Sequence, residues 1–162
     1  MPRITKQAVL FLWVLAAVMT TACSSIECPL NNHVYYVLTL DGDTLTDTLT
    51  VSTTRRDGND TVLVNRNINT TQLALPSSYA GETDHFLFDR VSADGKRTVD
   101  TVSITKDNKP HFESVDCSPA YFHTLREVRT THHGIDSISI ENENVTYDQS
   151  HAHIKIHFKP NL

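Results

Sequence analysis

The residues with the clearest capacity for chemistry are histidines near the C-terminus. Counting by twos places His151, His153 and His157 on one face of a strand, with Lys155 among them and Ile154, Ile156 and Phe158 on the opposite, core-directed face. A His-x-His pair on a strand presents two imidazoles to one ion, a donor set that suits zinc and copper. His132-His133 is a source for a third ligand, although adjacent strand residues point apart. Lys155 weighs against a metal, because a cation among the ligands repels one; the competing reading is a solvated polar face.

A second polar group is concentrated in a short span: His111, Glu113, Asp116, His123 and His132. These residues are either a hydrogen-bonded brace for loop backbone, which needs partners when buried, or a binding site. In the same span Phe112, Phe122, Ile135 and Ile138 are expected in the core, and Pro110 and Pro119 are expected to set bends.

Other chemistries find no support. There is no Gly-x-Ser-x-Gly elbow for a nucleophile, and five glycines form no phosphate-cradling loop. Glu141 and Glu143 sit two apart near a turn and read as solvated. Asp41-Gly42-Asp43 and Asp57-Gly58-Asn59-Asp60 are fragments of calcium loops without the distant bidentate glutamate of an EF-hand, and read as turns. The expectation is a protein that is not an enzyme and carries no cofactor.

The elements that must position these residues are strands. Threonine, valine and isoleucine alternate with apolar positions, a pattern that fits a pleated, half-buried surface. Strands are expected at Val34–Leu40, Leu45–Val51, Thr61–Asn65, Gln72–Leu75, 83–92, Val99–Thr105, Phe122–Thr131, Asp136–Glu141 and His153–Phe158. Asp94-Gly95 marks a hairpin, and no helix is convincing. Short strands separated by turn signals indicate an all-β fold, an immunoglobulin-like antiparallel β-sandwich of about seven to nine strands. The likeness is architectural, because the core tryptophan and in-strand cysteines of antibody domains are missing.

The N-terminus supplies an address. Arg3 and Lys6 precede an apolar run, Ala8 to Met19, which is short of the roughly 20 residues that span a bilayer. A positive start, a short apolar stretch and small residues are the layout of a cleavable signal. Met-Thr-Thr-Ala-Cys follows and resembles a lipobox, in which Cys23 becomes the first residue of the mature protein and carries its lipid, palmitate among the acyl chains. Thr20 departs from the usual leucine three residues before that cysteine. The expected organisation is a lipoprotein signal peptide at 1–22, a lipidated N-terminus and short tether at 23–32, and one sandwich domain at 33–162. Cleavage removes two of the 14 basic residues and none of the 19 acids, so net charge moves from −5 to −7. An acidic domain without a basic stripe is not built for nucleic acid.

Cys28 and Cys117 remain in the mature chain. An even pair in an oxidising compartment suggests a disulfide, with two free thiols or a metal pair as the alternatives; neither lies in a Cys-x-x-Cys motif.

One stretch goes beyond generic β-sequence: His111-Phe112-Glu113-Ser114, Asp116-Cys117-Ser118-Pro119, Phe122-His123-Thr124, and Thr130-Thr131-His132-His133 on to Ile138. Together with Ile26-Glu27-Cys28-Pro29-Leu30-Asn31-Asn32 it resembles an uncharacterised lipoprotein family of Bacteroidota, along most of the mature chain. The resemblance implies a lipid-anchored envelope protein and supplies no catalytic residues. Both cysteines fall in the matching segments, which fits a structural bridge. The expected role is a structural or protein-interaction module of the outer membrane, anchored by lipid, facing the periplasm rather than the cell surface and meeting an envelope protein partner. A metal- or small-ligand-binding module built on the C-terminal histidines is the alternative.

Overall fold

The computed structural model describes residues 28, 32–42, 46–54 and 60–160. Cys23, the signal segment 1–22, most of the 23–32 tether, Asp43 and the Asp57-Gly58-Asn59 turn lie outside the described residues.

Alternating branched and apolar side chains form ten strands: β1 (Tyr35–Asp41), β2 (Thr48–Thr54), β3 (Asp60–Asn67), β4 (Gln72–Pro76), β5 (Thr83–Val91), β6 (Arg97–His111), β7 (Ala120–Thr130), β8 (Ile135–Ile140), β9 (Asn144–Val145) and β10 (Ile154–Phe158). They make a four-stranded sheet, β4-β1-β10-β8, and a six-stranded sheet, β3-β2-β5-β6-β7-β9. Every pairing is antiparallel except β1 with β10. One core joins the sheets: Tyr36, Leu38, Leu75, Ile154 and Ile156 face Val51, Phe86, Phe88, Val102, Ile104 and Leu125. This is the all-β sandwich that the turn spacing indicates. The strand beyond the expected count is β9, whose two residues are too few to leave a period. Among the described residues there is no helix, and so none long and apolar enough to cross a membrane.

The β5–β6 hairpin carries the central register. It turns at Asp94-Gly95, where Gly95 adopts φ +84° and its N–H donates to Ser92 O at 3.0 Å. The inward row of β5 reads Asp84, Phe86, Phe88, Arg90, and that of β6 reads Asp100, Val102, Ile104, Lys106; all eight are buried. Because the strands run antiparallel, Asp84 meets Lys106 at one end of the apolar rows, and Arg90 lies by Asp100 at the other. Charged residues are rarely this buried unless paired.

At the far end Asp100 holds the corner where the chain leaves β7 for β8 in the other sheet. Its carboxylate accepts from the N–H groups of His133 (2.6 Å), Gly134 (2.7 Å) and Ile135 (2.9 Å) and from the Thr131 hydroxyl (2.9 Å). Burial opposes its ionisation, but these donors together outweigh burial and keep the carboxyl below its ordinary value. Gly134 is required there, since a Cβ would lie 2.4 Å from Thr98 Oγ1.

At the near end two sequence expectations change. β6 continues through Pro110 to His111, so Pro110 sits inside a strand opposite Tyr121 rather than at a bend. It is tolerated because β5 begins only at Thr83, opposite Thr105, which leaves the last residues of β6 as an edge. Phe112 is 62 % exposed and not part of the core, because it lies past the end of β6 in the loop to β7. Phe122 and Ile138 are partly buried against the core, and Ile135 is within it. A disulfide joins Cys28 to Cys117 in the β6–β7 loop. It fastens the segment before β1 to this end of the sandwich, where Asn32 Nδ2 also donates to Pro119 O at 3.1 Å.

Candidate functional site

The near end holds a buried polar network beneath an open cleft, and a shift in strand register makes it possible. β7 is irregular against β6 between Thr105 and Lys106, so that Glu127 pairs with Thr105 and Leu125 with Lys106. The extra residue, Arg126, resets the phase of β7 and turns His123 inward beside Leu125.

Asp84 is the hub. Its Oδ2 accepts from Lys106 Nζ (2.7 Å), the Tyr36 hydroxyl (2.6 Å) and the Ser78 N–H (3.1 Å). The Lys106 ammonium also reaches Gly81 O at 3.4 Å, and its side chain is fully buried. Burial and the Asp84 charge push the Tyr36 hydroxyl far above its ordinary value, so it remains a phenol that donates. Tyr36 belongs to one sheet, and Asp84 and Lys106 to the other, so this cluster is a polar tie across an apolar sandwich.

His123 extends the network. Its Nδ1 lies 2.8 Å from Asn108 Oδ1, and Asn108 is oriented by donating through Nδ2 to Gly81 O at 2.9 Å. Its Nε2 lies 2.8 Å from Ser77 Oγ, a hydroxyl that also reaches Val34 O at 2.8 Å. Asn108 Oδ1 accepts, so Nδ1 carries the ring proton, and the one Ser77 hydroxyl proton is shared between Nε2 and Val34 O. Burial, then the nearby Lys106 charge, lower the ring from 6.5 to about 4 against the opposing pull of Asp84, which keeps it neutral at ordinary pH.

His123 forms the floor of an open cleft of about 400 Å³. Its walls come from three segments: Asn32, His33 and Val34 before β1, Ser77 and Tyr79 after β4, and Pro119 and Tyr121 entering β7. Tyr79 and Tyr121 stack at 5.1 Å. The floor is therefore polar and internally satisfied, and the rim is aromatic and exposed.

The other residues marked by sequence are dispersed. His111 stacks on Phe122 at 4.1 Å and pairs with Glu113 at 3.0 Å on the surface, while Asp116 is exposed in the β6–β7 loop. His132 lies at the far corner with φ +60° and its Nδ1 3.1 Å from Asp136 O. The five thus do not form one group, and of them only His123 joins the buried network.

The C-terminal histidines are likewise not gathered on one face. β10 starts at Ile154, so His151 and His153 precede it. His153 is 1 % exposed. Its Nδ1 accepts the Val37 N–H (2.9 Å), its own N–H donates to Val37 O (2.8 Å), and its carbonyl accepts from Glu141 (2.8 Å) and Asn142 (3.2 Å). The imidazole occupies a ladder position between β1 and the end of β8, so that nitrogen is spent on backbone. Burial lowers its pKa, opposed by a hydrogen bond to the Asn144 backbone. His151 is exposed beside Asp148, and His157 faces Asp41 at 3.8 Å. Among the described residues no three His, Cys, Asp or Glu side chains are placed to hold a metal ion.

Sequence reasoning missed Asp84, Lys106 and Tyr36. The signal was present, since both charges continue the two-residue alternation of the apolar rows.

A two-sheet sandwich with an internally paired polar end is a class of domain, not an activity, and comparison narrows it to one family. Residues 48–158, more than half of the chain, match the model described as "Family of unknown function (DUF6452)", and the chain belongs to that family. No curated protein and no solved structure matches it.

Two outcomes follow from this geometry. Lys106→Met strands the Asp84 charge inside the sandwich and is expected to lower unfolding free energy by about 3–5 kcal/mol in urea. Adding Asp84→Asn removes the charge and keeps an amide oxygen for Tyr36 and Ser78, so the double variant recovers much of that loss; no recovery would refute the pairing.

His123 generates the second outcome. Its folded value lies below its unfolded one, so its full contribution to stability is present above pH 6.5 and is lost as pH falls from there through about 4. His123→Gln should flatten the urea midpoint across that window. A midpoint that falls there as steeply as in wild type rules His123 out as the titrating group.

Proposed function

We propose that this chain is an envelope lipoprotein of Bacteroidota, organised as a signal peptide at 1–22, a lipid-bearing Cys23 with a short tether to residue 32, and a sandwich at 33–162 that serves as a structural or protein-interaction module. The observation that carries the reading is the Cys28–Cys117 bridge. A disulfide belongs to an oxidising compartment, which is where a signal ending at Cys23 delivers the chain. The bridge also gives a purpose to a cysteine placed five residues after the lipid: it makes the anchor short.

The polar interior favours a binding module over a catalyst. Lys106, Asp84 and His123 have the chemistry for proton transfer, but Lys106 and Asp84 are engaged with each other and His123 with the Ser77 and Asn108 side chains inside the domain. The rim of the cleft, with the exposed Tyr79 and Pro119 and the half-buried Tyr121, is open to a partner. Outer-membrane attachment with the domain in the periplasm is the placement we favour.

Metabolic labelling with an alkynyl fatty acid tests the anchor. Wild type is expected to take up label and pellet with membranes, and Cys23→Ala to lose both. An unlabelled wild type, or equal labelling of Cys23→Ala, would overturn the lipoprotein reading.

A further inference from the structure

Three exposed apolar or aromatic side chains lie at one end of the sandwich. Val115 is 97 % exposed, Tyr79 66 % and Phe112 62 %. Phe112 and Val115 lie in the β6–β7 loop, and Val115 is two residues from Cys117, the partner of Cys28. Tyr79 is on the rim of the adjoining cleft, stacked on Tyr121.

The length of chain before Cys28 says what meets them. From Cys23 to Cys28 the backbone spans at most about 18 Å when fully extended. The bridge then sets Cys28 and Cys117 5.5 Å apart at Cα. β6, with 15 residues, is about 50 Å long and runs from the far end to this loop. A lipid on Cys23 therefore tethers the domain by its near end, on a leash less than half the length of that strand.

The geometry points to a bilayer-seating surface: Phe112 and Val115, flanked by Tyr79, rest in the headgroup boundary of the membrane that holds the Cys23 acyl chains. This rests on the lipoprotein reading above. Aromatic side chains are favoured at that depth, with an apolar body and, for tyrosine, a polar tip. The loop also carries Glu113 and the exposed Asp116, so anionic headgroups are not what attracts it. The partner is a zwitterionic phospholipid surface, contacted through apolar burial. The two disulfide-linked segments make the seat rigid, so the far end, with the β5–β6 turn and the corner at Gly134, stands away from the membrane.

The lipidated full-length protein, purified and placed in phosphatidylcholine vesicles with brominated acyl chains, tests this. The mature chain has no tryptophan, since Trp13 leaves with the signal. Val115→Trp, with Phe112→Trp as a second reporter, introduces one at the seat, and Ala93→Trp introduces one in the far turn. Several-fold stronger quenching and a blue-shifted emission are expected for the seat reporters relative to Ala93→Trp. Intact mass identifies the acyl chains. Acylated protein in vesicles whose seat reporters are quenched no more than Ala93→Trp overturns the seating surface alone. A mass without acyl chains overturns the lipoprotein reading and the seat with it.

Discussion

The buried contact of Lys106 with Asp84 is the interaction on which the near end of this domain depends. A lysine without solvent and a carboxylate within 2.7 Å of it fix β5 against β6 at one register, because a slip of one residue would put the two charges on opposite faces of the sheet. The same carboxylate oxygen takes the Tyr36 hydroxyl from the opposite sheet and the Ser78 N–H from the loop after β4. It thereby ties the sheets together and holds that loop, whose Ser77 and Tyr79 form part of the cleft. Its cost is that every partner must remain in place, since an unpaired charge at that depth is worth several kcal/mol of instability.

Asp100 performs a related task at the far end with a different partner set. It has no lysine, and four hydrogen bonds from the corner between β7 and β8 hold its charge. Arg90 lies nearby, 5.1 Å over the Phe158 ring and 3.7 Å from Asp47. The sandwich is thus an apolar slab closed by charge at both ends. The ends differ in what they show to the outside: the near one carries the disulfide, the aromatic cleft and the exposed Tyr79, Phe112 and Val115, and the far one a hairpin turn, a braced corner and the exposed Ile68.

The strands were legible because their inward positions alternate cleanly, as at Tyr36, Leu38 and Leu40, at Phe86 and Phe88, and at Ile154 and Ile156. The bridge was legible because Cys28 and Cys117 form an even pair outside any Cys-x-x-Cys motif. The polar interior was not, since a charge at Asp84 or Lys106 reads as the end of an apolar row although the alternation runs through it. His153 misled for a related reason: period-two counting does not show where strand pairing stops, and its ring nitrogen is used by the Val37 N–H. Phe112 misled because an apolar residue just past a strand looks like core, and only the end of β6 shows it to be outside. His123 faces inward because of the irregularity beside Lys106, which no sequence period announces.

The central claim is that the disulfide-bearing end is the membrane end. Hydrogen–deuterium exchange of the lipidated protein in vesicles, compared with its Cys23→Ala form in solution, tests it over the whole chain. The account predicts slower exchange confined to the β6–β7 loop and the residues around Tyr79, with the β5–β6 turn and the corner at Gly134 unchanged. Slower exchange at that turn and corner, or no difference anywhere, would contradict it.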